Sequence, residues 1–292
     1  MSLDLFGPIL VSGLILGSLY ALMAVGLTLV WTTLGIFNFA HGALMMLAAY
    51  VAWQVGMDEA WGFGAAAGLA AGVAAMVGLG ALIEAALVRP YVASRDRVLI
   101  VVMTTLAAMT LMQNGALLAF GGRFKQLPPL VPGTVTLLGT NVSAHEVLIM
   151  LLAPAVVIGL LVFLRHTTTG TAIRAVGQSP ETASLMGLNV RFLYATAFAI
   201  SAGLAAMAGI LLGSIRFISP ELGTEPLMKA LIVAIFGGLG SIMGTILGAY
   251  AIGMMEAALI YLVGLYSTPA ILFAVMIVVL MIRPEGLFGK VR

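Results

Sequence analysis

From Ile9 to Ile282 the chain reads as a succession of long apolar stretches with little polar sequence between them. Spans are expected near Ile9–Trp31, Phe37–Val55, Phe63–Val88, Val98–Phe120, Val147–Leu164 and Phe192–Ile215. A helix crossing a bilayer needs about 20 mostly apolar residues, a length these stretches reach or approach. The remainder, Leu227–Ile282, is apolar but broken by Gly237, Gly238, Gly240, Gly244 and Gly248, and later by Pro269. It divides near Leu227–Leu239, Met243–Val263 and Thr268–Ile282, of which the first and last are short for a full crossing. Only 8% of the residues are charged while 62% are apolar, too few charges to cover the surface of a water-soluble fold of this size. Hydrocarbon offers no partner for a free N–H or C=O, so the spans must be helices. The expected fold is an all-α polytopic membrane protein, a bundle of about eight transmembrane segments, with residues 1–292 forming a single transmembrane domain.

Basic residues set the expected orientation. Arg89, Arg95 and Arg97 share one connection, Arg165, Arg174 and Arg191 another, and Arg283, Lys290 and Arg292 the C-terminal end. Two spans separate the first two groups, so both face the same side, taken as cytoplasmic. The opposite side receives Asp4, Asp58, Glu59, Glu221 and Glu225, with Arg123, Lys125, Arg216 and Lys229 dissenting. The N-terminus is then expected outside and the C-terminus inside. An odd number of segments must cross after Ile215, either one or three. Met1–Leu10 carries no Lys or Arg, so the first apolar segment is expected to remain as a span.

The polar run Arg165–Asn189 has helix signals of its own. Ser179 suits an N-cap, Pro180 the first helical position, and Glu181 the positive end of the helix dipole. Gly187 suits the left-handed residue that ends a helix. About two turns over Pro180–Met186 are expected, with Ala183, Leu185 and Met186 as apolar anchors. Such a helix is either an interfacial connector or a docking element. On the other side, residues 121–145 contain Pro128, Pro129, Pro132 and Gly133 and then a β-prone run, Val135–Leu138. This is expected to be a stiff connecting loop.

Glycines recur at helix-contact spacing: Gly64, Gly68 and Gly72; Gly240, Gly244 and Gly248; and the pairs Gly13–Gly17 and Gly209–Gly213. Faces of this kind let helix backbones approach closely in lipid. Asn38 and His41, three apart in GIFNFAHG, are expected on one helical face. Gln113 and Asn114 stand together in TLMQNGALL. Each pair either lines a polar pathway or serves as hydrogen-bonding glue between helices. Glu84, five residues before Arg89, is expected to snorkel or pair there. Glu256 has no basic neighbour in sequence and is either a protonated interior carboxyl or the partner of a cation on another helix.

Several chemistries find no support in the sequence. There is no Cys, no HExxH, and no His cluster with metal-ligand spacing, so no metal site is expected. No GxxxxGK[ST] loop occurs, so this chain does not itself hold ATP through that device. GGLGS is not a GxSxG elbow, and no nucleophile–base pair stands out, which argues against an enzyme. The net charge is +2, with basic residues scattered at span ends, so nucleic acid is not an expected partner.

At this point a resemblance covers almost the whole chain, from about Gly13 to Gly289. GLTLVWTTLGIFNFAHGALMMLAAYVA (Gly26–Ala52) and ALVRPYVASRDRVLIVVMTTLAAMTLMQNGALLAFG (Ala86–Gly121) resemble conserved blocks of permease subunits of branched-chain amino acid ABC importers. TTTGTAIRAVGQSPETASLMGLNV is similar to their cytoplasmic coupling loop, and ALIVAIFGGLGSIMGTILGAY with RPEGLFG to their closing segments. The resemblance is to the first, shorter permease of such systems. It implies a second homologous permease subunit, two cytoplasmic ATPase subunits that hold ATP and Mg, and a periplasmic solute-binding protein. It also implies a multi-pass location in the bacterial inner membrane, in contact with lipid, with no cofactor on this chain. Glu181, Ala183 and Gly187 fall on the family's E-x-A-x-x-x-G motif, so the resemblance makes Ser179, Pro180, Glu181, Ala183, Met186 and Gly187 the ATPase-coupling residues. The implied activity is ATP-driven import of branched-chain or related amino acids by alternating access, with urea or amides as substrate variants. Asn38, His41, Gln113 and Asn114 are the candidate polar contacts of the pathway. The alternative is a secondary transporter or facilitator that uses Glu256 or Glu84 as its coupling carboxyl.

Overall fold

The computed structural model describes residues 3–57, 63–283 and 286–288. Asp58, Glu59, Lys290 and Arg292, and the side chain of Asp4, lie outside the described residues, as do the Pro284, Glu285 and Gly289 of the closing motif. The helices are α1 (Leu3–Leu34), α2 (His41–Met57), α3 (Ala65–Ile83) and α4 (Arg97–Phe120), then a hairpin of β1 (Thr134–Leu137) and β2 (Thr140–Ser143). After it come α5 (Ala144–His166), α6 (Thr168–Gln178), α7 (Pro180–Leu185), α8 (Val190–Gly213), α9 (Thr224–Gly237), α10 (Ile242–Val263) and α11 (Thr268–Ile282). Among the described residues, 6 helices are long and apolar enough to cross a membrane. α2, α9 and α11 fall short of that length, with 17, 14 and 15 residues.

The chain divides into two compact units. One comprises residues 1–28, 129–157 and 228–292; the other comprises residues 29–128 and 158–227.

In the second unit α2, α3 and α8 form the core. Gly68 lies against the Ala52 carbonyl, Gly72 against the Ala48 carbonyl and Ile210, and Gly209 against the Met45 backbone. A Cβ at any of these positions would run into main chain, so close packing in place of hydrophobicity holds the helices together. The contact order makes α3 antiparallel to α2, and α8, with Gly213 against Ala49, parallel to it. Gly64 departs from the expected contact face: it stands before α3 at φ 89°, with open space where its side chain would be. The span expected at Phe37–Val55 is also shorter than read, because Gly35 turns the chain at φ 71° and α2 begins only at His41.

α3 continues into a π-helical turn, Glu84–Val88, and a 3₁₀ turn, Arg89–Tyr91. Pro90 explains the change of pitch: it has no N–H to give and its ring would strike the carbonyl four residues back in a regular helix.

In the first unit α1 and α10 pack on glycine. Gly13 faces Met254, Gly17 faces Tyr250, and Gly253 meets the Gly17 backbone. Thr28 and Thr245 share a hydrogen bond of 2.9 Å, and this run of contacts makes α10 antiparallel to α1. α9 folds back on α10 with Gly237 against Gly244 and Gly248, and therefore runs in the direction of α1. Gly240 is a second departure: it takes φ 97° in the turn between α9 and α10 and touches no helix. The β-prone run is a two-residue hairpin, with Leu138 and Gly139 both at positive φ as a type I′ turn requires.

Candidate functional site

The polar run 165–191 holds two helices where the sequence suggested one. α6 begins at a cap, with the Thr167 hydroxyl accepting the Gly170 N–H at 3.0 Å, and it buries Gly170, Ile173 and Val176 along one side. Gly170 sits on the Phe163 carbonyl and Gly177 on the Thr32 carbonyl, so neither has room for a side chain. Sequence reading missed α6 because its apolar face is thin; the recurrence of Gly170, Ile173, Val176 and Gly177 was the available signal.

α7 follows at once. Ser179 is its N-cap, its hydroxyl accepting the Thr182 N–H at 3.2 Å, and Pro180 occupies the first turn with Glu181. The end is a Schellman closure: Gly187 at φ 82° donates to the Ser184 carbonyl, and Leu188 donates to the Ala183 carbonyl. The helix therefore stops at Leu185, with Met186 as its cap. Of the three expected anchors, Ala183 alone points inward, at 4% exposure, while Leu185 and Met186 are 88% and 79% exposed. Two large apolar side chains thus project from a rigid, doubly capped turn, beside exposed Glu181 and with exposed Arg165, Arg174 and Arg191 on the same polar run.

The second candidate region lies in the apolar bundle. Asn38 and His41 do not share a helical face, because Asn38 precedes α2 in non-helical chain. Its Oδ1 accepts the Ala40 N–H at 3.1 Å, and its carbonyl accepts the His41 N–H. His41, fully buried, places Nδ1 3.4 Å from the Ser201 hydroxyl, halfway along α8. The stretch Gly35–Ala40 is therefore unwound backbone at mid-depth of the bundle, stabilised where the Phe39 N–H reaches the Thr105 hydroxyl at 3.3 Å. Such backbone is tolerated at membrane depth only where protein or a polar cavity satisfies it.

Gln113 and Asn114 part company. Gln113 Nε2 donates to the Thr224 hydroxyl at 3.0 Å, at the first residue of α9, whereas exposed Asn114 donates to the Thr110 carbonyl of its own helix. Gly223 lies directly on the Gly42 carbonyl, which brings the starts of α9 and α2 together.

Glu84, wholly buried, is paired with Arg89 at 2.6 Å. Glu256 has the second of its two sequence readings, a cation on another helix. Lys229 Nζ lies 2.6 Å from Glu256 Oε1, the Tyr20 hydroxyl donates to Oε2 at 2.6 Å, and Lys229 Nζ donates to the Tyr20 oxygen at 3.1 Å. In the sequence Lys229 is one of the four basic residues that dissent from the charge bias, and it lies within the apolar segment Leu227–Leu239. A lone lysine and a lone glutamate, each inside apolar sequence, were the signal for this pair. Among the described residues no group of three or more His, Cys, Asp or Glu is placed to hold a metal ion.

Long apolar helices with a short capped helix on the polar run between them define a multi-pass helical membrane protein. The chain belongs to the family described as branched-chain amino acid transport system / permease component, which matches residues 9–282. It is 32% identical to the high-affinity branched-chain amino acid transport system permease protein LivH of Salmonella typhimurium, over 96% of this chain and 94% of that one. The corresponding protein BraD of Pseudomonas aeruginosa is also 32% identical, over 96% and 95% of the two chains. These relatives are named as transport permeases, and the chain is a transport protein of that family and not an enzyme. A solved structure, PsaBC from Streptococcus pneumoniae in complex with Fab, shares the fold at 12% identity, with TM-score 0.53 over 95% of this chain and 91% of that one.

Proposed function

We propose that this chain is one permease subunit of an ATP-driven importer that carries branched-chain or closely related amino acids across the bacterial inner membrane. Residues 1–292 act as one transmembrane permease domain, with the N-terminus outside, the C-terminus inside, residues 121–145 as the periplasmic loop and residues 165–191 as the cytoplasmic coupling loop. A second homologous permease completes the pathway, two ATPase subunits hold ATP and Mg, and a solute-binding protein delivers the substrate. The directions of α9 and α10 support three crossings after Ile215: α9 runs with α1, which requires an odd number of passes between them, and α2, α3, α4, α5 and α8 supply five.

The observation that carries the reading is α7. Its caps hold six residues as a rigid turn, and its exposed Leu185 and Met186 are apolar knobs for a groove in an ATPase subunit. ATP-driven closure of the ATPases then moves α7, and α6 passes that motion to the end of α1 through Gly177 and Thr32. Asn38, His41, Gln113 and Asn114 supply the polar contacts of a mostly apolar passage. The rival reading, a secondary transporter, has no need for a doubly capped helix with exposed apolar side chains, so α7 favours the importer.

Reconstitution with the ATPase subunits, the second permease and a loaded binding protein tests this. Uptake is expected only with ATP, and Gly187→Pro or Glu181→Lys is expected to leave membrane insertion intact while uncoupling hydrolysis from uptake. Proton-driven uptake by the chain alone refutes the reading. Asn38→Leu with His41→Leu is expected to slow or redirect transport, and unchanged kinetics would assign both residues to packing.

A further inference from the structure

Unit 1 buries an ion pair that the coupling mechanism does not use. Lys229, Glu256 and the Tyr20 hydroxyl come from α9, α10 and α1 and close a ring of contacts of 2.6, 2.6 and 3.1 Å. The side chains of Lys229 and Glu256 are 12% and 5% exposed, on mostly apolar helices whose one other charged residue is Glu225 in the first turn of α9. Taking two charges out of water costs several kcal/mol per ion, and well-packed hydrophobic residues often serve stability as well or better. Ionisable groups at such depth commonly mark substrate or ion pathways.

The ring has a definite chemistry. Lys229 and the Tyr20 hydroxyl are donors for a carboxylate, and Glu256 is an acceptor for an ammonium. Together they match the head group of a zwitterionic α-amino acid, whose two charges are separated much as those of the ion pair are. Beside the ring, Gly13, Gly17 and Gly253 bring α1 and α10 into close contact, with Met254 and Tyr250 packed over Gly13 and Gly17. α9 is about 21 Å long, shorter than the hydrocarbon core, so Lys229 stands on a partial span of the kind that transporters use for midplane sites.

We propose that Tyr20, Lys229 and Glu256 form a binding station for the α-amino and α-carboxylate groups of the transported amino acid. In transit the substrate carboxylate takes the place of Glu256 on Lys229 and Tyr20, and the substrate ammonium takes the place of Lys229 on Glu256. No proton or covalent bond needs to move, because one ion pair is exchanged for two. The station rests on the proposed amino acid specificity and adds the part of the substrate that this chain recognises.

The experiment uses the assembled importer in vesicles with labelled leucine. Wild-type uptake comes first: if ATP drives no leucine or other neutral amino acid uptake, the amino acid reading itself fails, and the station with it. Given wild-type uptake, Lys229→Met with Glu256→Met removes both charges together and leaves neither unpaired. Leucine transport is expected to fall at least about tenfold, the effect of losing hydrogen bonds to a charged group, while the variant still co-purifies with the ATPase subunits. Lys229→Arg with Glu256→Asp is expected to recover part of it. Unchanged transport and KM in the double Met variant would overturn the station. If that variant does not assemble, Tyr20→Phe decides, with KM for leucine raised about fivefold as expected and an unchanged KM overturning the proposal.

Discussion

Glu84 and Glu256 are both buried carboxylates, yet they meet their cations in opposite ways. Glu84 finds Arg89 five residues along the same chain, across a π turn, and the Arg89 side chain is 41% exposed. Glu256 finds Lys229, 27 residues earlier on α9, and Tyr20, 236 residues earlier on α1. The first pair is local and reaches water at the end of a span; the second is held between three helices and is dry. A local pair needs only the helix that carries it, whereas a remote pair exists only once the bundle has packed.

Breaking the two pairs should therefore have unequal effects. Lys229→Met leaves Glu256 charged and unpaired in an apolar site and is expected to destabilise the protein by about 3–5 kcal/mol, read as a fall in melting temperature in detergent. Adding Glu256→Met should restore most of that loss; a double variant as unstable as the single one would mean that packing and not charge is at stake. Arg89→Met is expected to do less harm than Lys229→Met, because water can reach the Glu84 carboxylate where the arginine left it. Equal losses in the two variants would erase the distinction between a dry and a wet pair.

Two further tests carry the comparison to α7, whose contacts are all local. Ser179→Ala removes one cap hydrogen bond and should weaken the helix by about 1 kcal/mol, visible as faster amide exchange over residues 180–186. The smallest expected effect on stability is that of Leu185→Ser with Met186→Ser, within about 0.5 kcal/mol, because both side chains already face solvent. ATP-driven uptake should nonetheless drop sharply in this variant, and normal uptake would remove the docking role from α7.

Much of the architecture was legible. Val98–Phe120, Met243–Val263 and Thr268–Ile282 lie within a residue of their helices, because hydropathy changes abruptly at Arg97, Ser241 and Arg283. The caps of α7 were legible too, since Ser179, Pro180 and Gly187 act on backbone no more than a few residues away. Asn38 reads as helical because the apolar residues around it hide a break that Gly35 marks, whereas His41 does lie in a helix, as the first residue of α2. Gly64 and Gly240 share the spacing of their neighbours, but both take positive φ and stand outside the helices whose faces that spacing suggested.

The sequence by itself determined that this is a helical membrane protein with a short capped helix on a polar loop, because hydropathy, caps and turn glycines act within a few residues of chain. Tertiary structure alone decided which polar groups meet: Lys229 with Glu256 and Tyr20, His41 with Ser201, Gln113 with Thr224. In an apolar helix every face looks alike in sequence, and each residue turns the side chain by about 100°, so only packing against a neighbour chooses the face that is buried.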